Sequence, residues 1–361
     1  MDEHTATAPD PAPAGAAGNG DTENTTGTPP PRPRPRRALW WLHGAVRFAL
    51  ALMLLYNGAI KLGLGQFGVP DVGDALIAYG EMSPMGLLSR MVGFSPLFQF
   101  LAGTAEVGAA FALVWRRTAL AGALVSLAAM SFILVLNLGY DMPGKQVALV
   151  LLAMSAVVAL PWAARVLRAL LGSGPVPAAA VPVLFSSPRA SRVSGIAAPV
   201  LGGVVLAVFG ALVLASQPSR GVDDTAPAGV WAVREDTAEP APQLSRDPRW
   251  QRVAFGGVAT AGEAAVQVRT ADGSLLVGTY RHAEGVLEAE VRPLLAPGQS
   301  AAEYAASPAR TLVFAFERGE DGTLVLVDGE HRMVLAPDRD ATLLFDRGFH
   351  WGIRADDPFE R

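Results

Sequence analysis

Hydrophobic positions follow two different rules along this chain. From about residue 45 to 217 they come in long, nearly unbroken apolar runs, whereas after about residue 248 they come in short runs that alternate with polar residues. A run of about 20 apolar residues is what a helix needs to cross about 30 Å of hydrocarbon, and alternation with a period of two marks strands with one wet and one buried face. Five runs meet the first criterion: Ala45–Leu64, Phe94–Trp115, Thr118–Tyr140, Gln146–Ala164 and Ser194–Gln217. Eight short segments meet the second: Trp250–Phe255, Ala264–Thr270, Leu275–Arg281, Val286–Arg292, Thr311–Glu317, Thr323–Val327, Arg332–Leu335 and Thr342–Phe345. Asp272-Gly273, Asp321-Gly322 and Asp328-Gly329 stand between such segments as turn signals. The predicted fold class is therefore a membrane all-α bundle, four helices plus a fifth, joined to an all-β antiparallel barrel or sandwich.

Domain boundaries follow from the same pattern. Residues 1–37 are rich in Ala, Pro, Gly and Thr and end in PRPRPRR, which predicts a disordered tail. A membrane domain over 38–172, a loop over 173–193, the fifth helix over 194–217, a polar linker over 218–247 and a β-rich domain over 248–361 complete the division. The β domain, taken from about residue 228, is expected to fold by itself, with Phe349 and Trp351 covering its open end.

Charge orients the chain. Arg32, Arg34, Arg36 and Arg37 precede the first run, Arg116 and Arg117 separate the second from the third, and Arg165, Arg168, Arg189 and Arg192 separate the fourth from the fifth. The alternate loops carry only Arg90 and Lys145, beside Asp71, Asp74, Glu81 and Asp141. By the positive-inside rule the N-terminus is cytoplasmic and the β domain extracytoplasmic. A formal net charge of −4 argues against a nucleic-acid partner, and the absence of cysteine excludes disulfides and thiolate chemistry. His282, His331 and His350 lack metal-ligand spacing, so no metal site is expected; His43 and the pair Trp40 and Trp41 read as headgroup-level residues.

Candidate chemistry is confined to polar residues inside the apolar runs. A carboxylate within the bilayer is costly unless paired, solvated or protonated, which singles out Glu106. Asn57 and Lys61 share a face of the first helix, with Arg47 nearly four turns earlier, and Asn137 lies near the outer end of the third run. Glu106 is expected about 10 Å deeper than Lys61 at a rise of 1.5 Å per residue, an offset two long side chains close only in part. These residues suit either a ligand site or hydrogen bonding that holds the bundle together. Small residues such as Gly103, Gly108, Ala109 and Ala112 are read as a helix-packing face.

The segments RFALALMLLYNGAIKL (Arg47–Leu62), FLAGTAEVGAAFALVWRRTALAGALV (Phe100–Val125) and VLNLGYDMP (Val135–Pro143) resemble the DoxX-like family of small four-helix bacterial membrane proteins. The likeness covers residues 45–165 and rests on an Arg and a Gly-x-x-Lys on the first helix and a Gly-x-x-Glu on the second: Arg47, Gly58, Lys61, Gly103 and Glu106. The ending, RGFHW followed by DPFER, also resembles the extracytoplasmic tail of longer DoxX-like proteins. The resemblance implies a multi-pass protein of the bacterial inner membrane; some relatives are linked to thiosulfate and quinone redox chemistry, and most have no assigned reaction. A fifth helix and the β domain set this chain apart from a four-helix member. The leading expectation is a membrane component of a redox or envelope system with a quinone-like ligand near Glu106 and Lys61. The alternative is a non-catalytic anchor whose β domain binds an envelope protein partner.

Overall fold

In a computed structural model, the chain is described over residues 34–172, 174–175, 185, 187–242, 245–346, 348 and 351–352. Its helices are α1 (Arg34–Leu62), α2 (Pro84–Gly93), α3 (Pro96–Val114), α4 (Ala119–Gly139), α5 (Lys145–Ala159), α6 (Ala163–Leu171), α7 (Pro188–Ala215), α8 (Ala301–Ala306) and α9 (Leu343–Asp346). Its strands are β1 (Arg220–Val222), β2 (Gly229–Asp236), β3 (Trp250–Phe255), β4 (Val258–Thr260), β5 (Ala264–Thr270), β6 (Leu275–Ala283), β7 (Val286–Pro293), β8 (Arg310–Arg318), β9 (Leu324–Asp328) and β10 (His331–Pro337).

Among the described residues five helices are long and apolar enough to cross a membrane: α1, α3, α4, the continuous stretch Lys145–Leu171 through α5 and α6, and α7. Their outward side chains are apolar as well, Phe132, Val135, Leu138, Leu201 and Leu212 among them, as a lipid-facing surface requires. Ser83 and Ser95 cap α2 and α3 by accepting from the Gly86 and Phe98 amides, each with a proline at the first helical position. Helix α2 falls in a segment that carried no expected element. Of the expected tail, residues 1–33 lie outside the described residues, and α1 already begins at Arg34. Most of the expected 173–193 loop also lies outside them, and α7 starts inside it at Pro188.

The C-terminal half is a closed, wholly antiparallel eight-stranded barrel in the order β10-β2-β3-β5-β6-β7-β8-β9, with β1 and β4 forming a separate two-stranded ribbon. Alternation sends Val253 and Phe255 of β3, Val266 and Val268 of β5 and Leu324 and Leu326 of β9 into one packed core, each at most 1% exposed. The three Asp-Gly pairs fall at the β5–β6, β8–β9 and β9–β10 connections, where Gly273, Gly322 and Gly329 adopt positive φ.

Two strand assignments change. Residues 218–247 are not merely a linker: they contain β2, which closes the barrel by pairing with both β3 and β10. Conversely, Thr342–Phe345 is not a strand but the junction of a short 3-10 turn (Arg339–Thr342) with α9. With β2 counted in, the barrel is complete without it. Trp351 is 96% exposed instead of buried over the barrel end, while Phe349, His350 and residues 353–361 lie outside the described residues.

The barrel sits on the end of the bundle where α1 finishes, and it is fastened there by the 63–83 connection. Gly73 lies so close to β5 that an added Cβ would come within 2.8 Å of the Ala265 carbonyl. The outward row of β5 reads this connection: Gln267 accepts from the Leu76 amide (2.9 Å) and donates to Asp74 (3.1 Å), and Arg269 forks onto Glu81 through two 2.7 Å bonds. Asp71 accepts from the Gly257 amide (2.9 Å), and Leu76 is buried against outward-facing Val230, Ala254 and Leu275. Arg220 adds a bond to the Gly63 carbonyl (2.8 Å).

Candidate intramembrane site

Helices α1 and α3 run antiparallel at very close range. A Cβ on Gly58 would lie 2.8 Å from the Gly103 carbonyl and 3.1 Å from the Glu106 Cβ; one on Gly103 would lie 2.8 Å from the Gly58 carbonyl and 3.1 Å from the Lys61 Cβ. Each glycine thus vacates the space that the other helix's charged residue occupies. With Gly58 packed against Glu106 and Gly103 against Lys61, the two charged residues sit about one helical turn apart along the axes, about 5 Å at 1.5 Å per residue, a smaller offset than the sequence suggested. Their side chains close that offset completely. Lys61 Nζ donates to Glu106 Oε1 at 2.9 Å and Oε2 at 2.8 Å, with Glu106 only 1% and Lys61 7% exposed.

This ion pair forms part of the wall of a cavity of about 640 Å³ bounded by α1 to α5. Its lining is chiefly apolar, with Leu88, Val92, Phe98, Leu101, Ile133 and Leu151 among the side chains. Asn57, Gln66 and Asn137 join the pair as polar lining groups. The Asn57 amide donates to the Met53 carbonyl of its own helix (2.8 Å). That leaves its carbonyl oxygen available, and the Asn137 amide forms no side-chain hydrogen bond among the described residues. Two of the three ammonium directions of Lys61 go to the carboxylate, which leaves a third for an acceptor in the cavity.

Of the residues singled out from the sequence, Asn57, Lys61, Glu106 and Asn137 therefore converge on one cavity, and Arg47 does not. Fourteen residues separate Arg47 from Lys61 on a straight helix, about 21 Å, and Arg47 lines a different groove at the opposite end of the bundle. His43 does more than mark the headgroup level: its ring nitrogen meets the Val158 carbonyl at 3.0 Å and it packs edge-on to Trp40 and Trp162. In the barrel, His282 and His331 each contact one carboxylate, Asp223 at 2.9 Å and Asp236 at 2.7 Å. Among the described residues no cluster of three metal-ligating side chains forms.

Other polar residues of the bundle carried no sequence signal. Gln99 is fully buried and donates to the Gly68 carbonyl (2.8 Å), while Ser126 and Ser155 meet at 2.6 Å between α4 and α5. The Gln99 bond holds the backbone just after Phe67, a cavity-lining residue, and three residues before Asp71, which bonds the barrel. A single short stretch therefore links the cavity wall to the barrel.

The barrel interior, by contrast, is packed among the described residues with apolar side chains from its strands. Tyr280 fills its interior and donates to the Gly256 carbonyl (2.6 Å); burial pushes this phenol well above its usual range, so it stays a donor. No family model, no curated protein and no solved structure matches the chain.

Proposed function

We propose that this chain is a multi-pass protein of a bacterial cytoplasmic membrane, of the DoxX-like type, whose bundle binds a small, largely apolar, carbonyl-bearing ligand such as a quinone. The N-terminus lies in the cytoplasm and the barrel on the opposite side, as the arginine asymmetry requires. The observation that carries the reading is a ligand-sized apolar cavity walled by the buried Lys61–Glu106 pair. Apolar walls suit a ring or isoprenoid chain, and the ammonium and the Asn137 amide are donors for carbonyl oxygens.

Solvent extraction and mass spectrometry of the full-length protein purified from membranes test this reading. Wild-type protein is expected to carry near one quinone per chain, and Ala129→Phe, which fills the cavity from α4 and leaves Lys61 and Glu106 in place, to lose it. A wild-type bundle that carries no such molecule and binds no added quinone overturns the proposal. The second reading, a membrane anchor whose barrel binds an envelope protein at its outer surface, is favoured by the packed apolar interior of the barrel. A tight partner recovered with an empty bundle would put that reading first.

A further inference from the structure

At the end of the bundle where α1 begins, far from the Lys61–Glu106 cavity, a groove of about 430 Å³ runs between α1, the end of α3 and α7. Two guanidinium groups line it, Arg47 from α1 and Arg116 from just beyond α3. The antiparallel register places them together: from the Gly58–Gly103 crossing, eleven residues back along α1 reach Arg47 and eleven forward along α3 reach Val114. No carboxylate lines the groove, and neither arginine forms an ion pair or hydrogen bond among the described residues. Within the groove lining their charges meet no anion, beside apolar walls that include Phe48, Leu201 and Val205. Trp40 and Trp41, at the mouth, mark the depth at which indoles meet lipid headgroups.

We infer that this groove is a binding site for an anionic glycerophospholipid of the adjacent leaflet, its phosphate held between Arg47 and Arg116 and an acyl chain laid along Phe48, Leu201 and Val205. Two planar guanidiniums match phosphate oxygens with paired N–H donors. The lack of an acidic lining residue decides between headgroups: a choline or ethanolamine ammonium would face two cations and meet no anion, whereas a glycerol headgroup carries no opposing charge. Gly44, beside which nothing lies within 4 Å of where a Cβ would be, leaves room for the chain.

The test uses the full-length protein in detergent, titrated with phosphatidylglycerol or phosphatidylcholine of identical acyl chains. Bound lipid is counted by native mass spectrometry, and brominated versions of both lipids report approach to the tryptophans by quenching. Wild-type protein is expected to retain phosphatidylglycerol in preference to phosphatidylcholine. Arg116→Gln is expected to weaken that retention about fivefold and the Arg47→Gln/Arg116→Gln double variant about thirtyfold, the effect of roughly one surface-lipid charge interaction per arginine. Arg117→Gln removes a neighbouring charge that does not line the groove and is expected to bind as wild type does. Should the double variant fail to fold, Arg116→Gln decides alone, since Arg116 lies outside the helix. Equal retention of the two lipids, unchanged phosphatidylglycerol binding in Arg116→Gln, or equal loss in Arg117→Gln overturns the inference. Inorganic phosphate competing as well as the lipid does would replace it with a soluble-anion site.

Discussion

The barrel and the bundle bury their interiors in opposite ways. Inside the barrel, side chains from eight strands meet in one apolar cluster, and the polar atom of its large interior tyrosine is satisfied by a backbone carbonyl. The bundle instead buries a carboxylate, an ammonium, a glutamine and two serines, and leaves a cavity beside them. A filled apolar core stabilises and specifies a fold, whereas desolvated charge beside an unfilled space costs free energy that packing elsewhere must offset. That contrast favours the bundle for the proposed ligand and the outer face of the barrel for a proposed partner.

The largest expected effect tests the barrel's boundary. A soluble fragment of residues 218–361 is expected to show a β-type circular dichroism spectrum and one cooperative melt. A fragment of residues 248–361 lacks β2 and leaves β3 and β10 each with an open edge, so it is expected to aggregate or stay unfolded. Equal folding of the two would mean that barrel closure contributes nothing to stability.

In the bundle, Glu106→Gln leaves the Lys61 ammonium buried without its anion, and a loss of about 3–5 kcal/mol is expected. Lys61→Met added to it should restore a substantial part, because removing both charges leaves no unpaired ion. Thermal unfolding of the single and double variants in detergent measures both. An unperturbed single variant would show that the pair does not hold α1 to α3.

The smallest effects concern the seam between the two halves. Arg269→Ala breaks the fork to Glu81; the carboxylate is one-third exposed, so about 1 kcal/mol is expected. The same seam gives a pH dependence. Hydrogen bonds from Arg269 lower the Glu81 carboxyl from 4.5 to about 2, helped by the Ala78 amide. A carboxyl depressed in the folded state contributes its stabilisation in full above its unfolded value, and that contribution is lost as pH falls from about 4.5 through about 2. Because the chain has no cysteine, spin labels at Tyr79→Cys and Val313→Cys report the seam alone. Their distance distribution should be narrow at pH 6 and broader at pH 3. In the Arg269→Ala background it should be broad at both; a distribution indifferent to pH and to Arg269 would remove the clamp.

Much of the architecture was legible because each rule is local. Apolar run length located five spans, and strand alternation with Asp-Gly turns located seven of the barrel strands. The eighth, β2, escaped because GVWAVRED follows a proline-containing polar stretch and alternates weakly, and its strand character comes from pairing with β3 and β10. Candidate residues on α1, α3 and α4 were likewise visible as polar groups in apolar sequence. Whether Lys61 reaches Glu106 was not, because that depends on how closely two helices approach.

By itself, then, the sequence determined the two solvents this chain is built for, which residues are out of place in them, and which ends of the helices carry the positive charge. Hydrophobic transfer acts residue by residue and leaves its mark in order along the chain. Tertiary structure alone decided three things: that Gly58 and Gly103 let the Lys61–Glu106 pair close, that Arg47 belongs with Arg116 at the other end of the bundle, and that Asp71, Asp74 and Glu81 bind the barrel. Each depends on residues distant in sequence meeting within a few ångströms, and hydrogen bonds and ion pairs act only at that range.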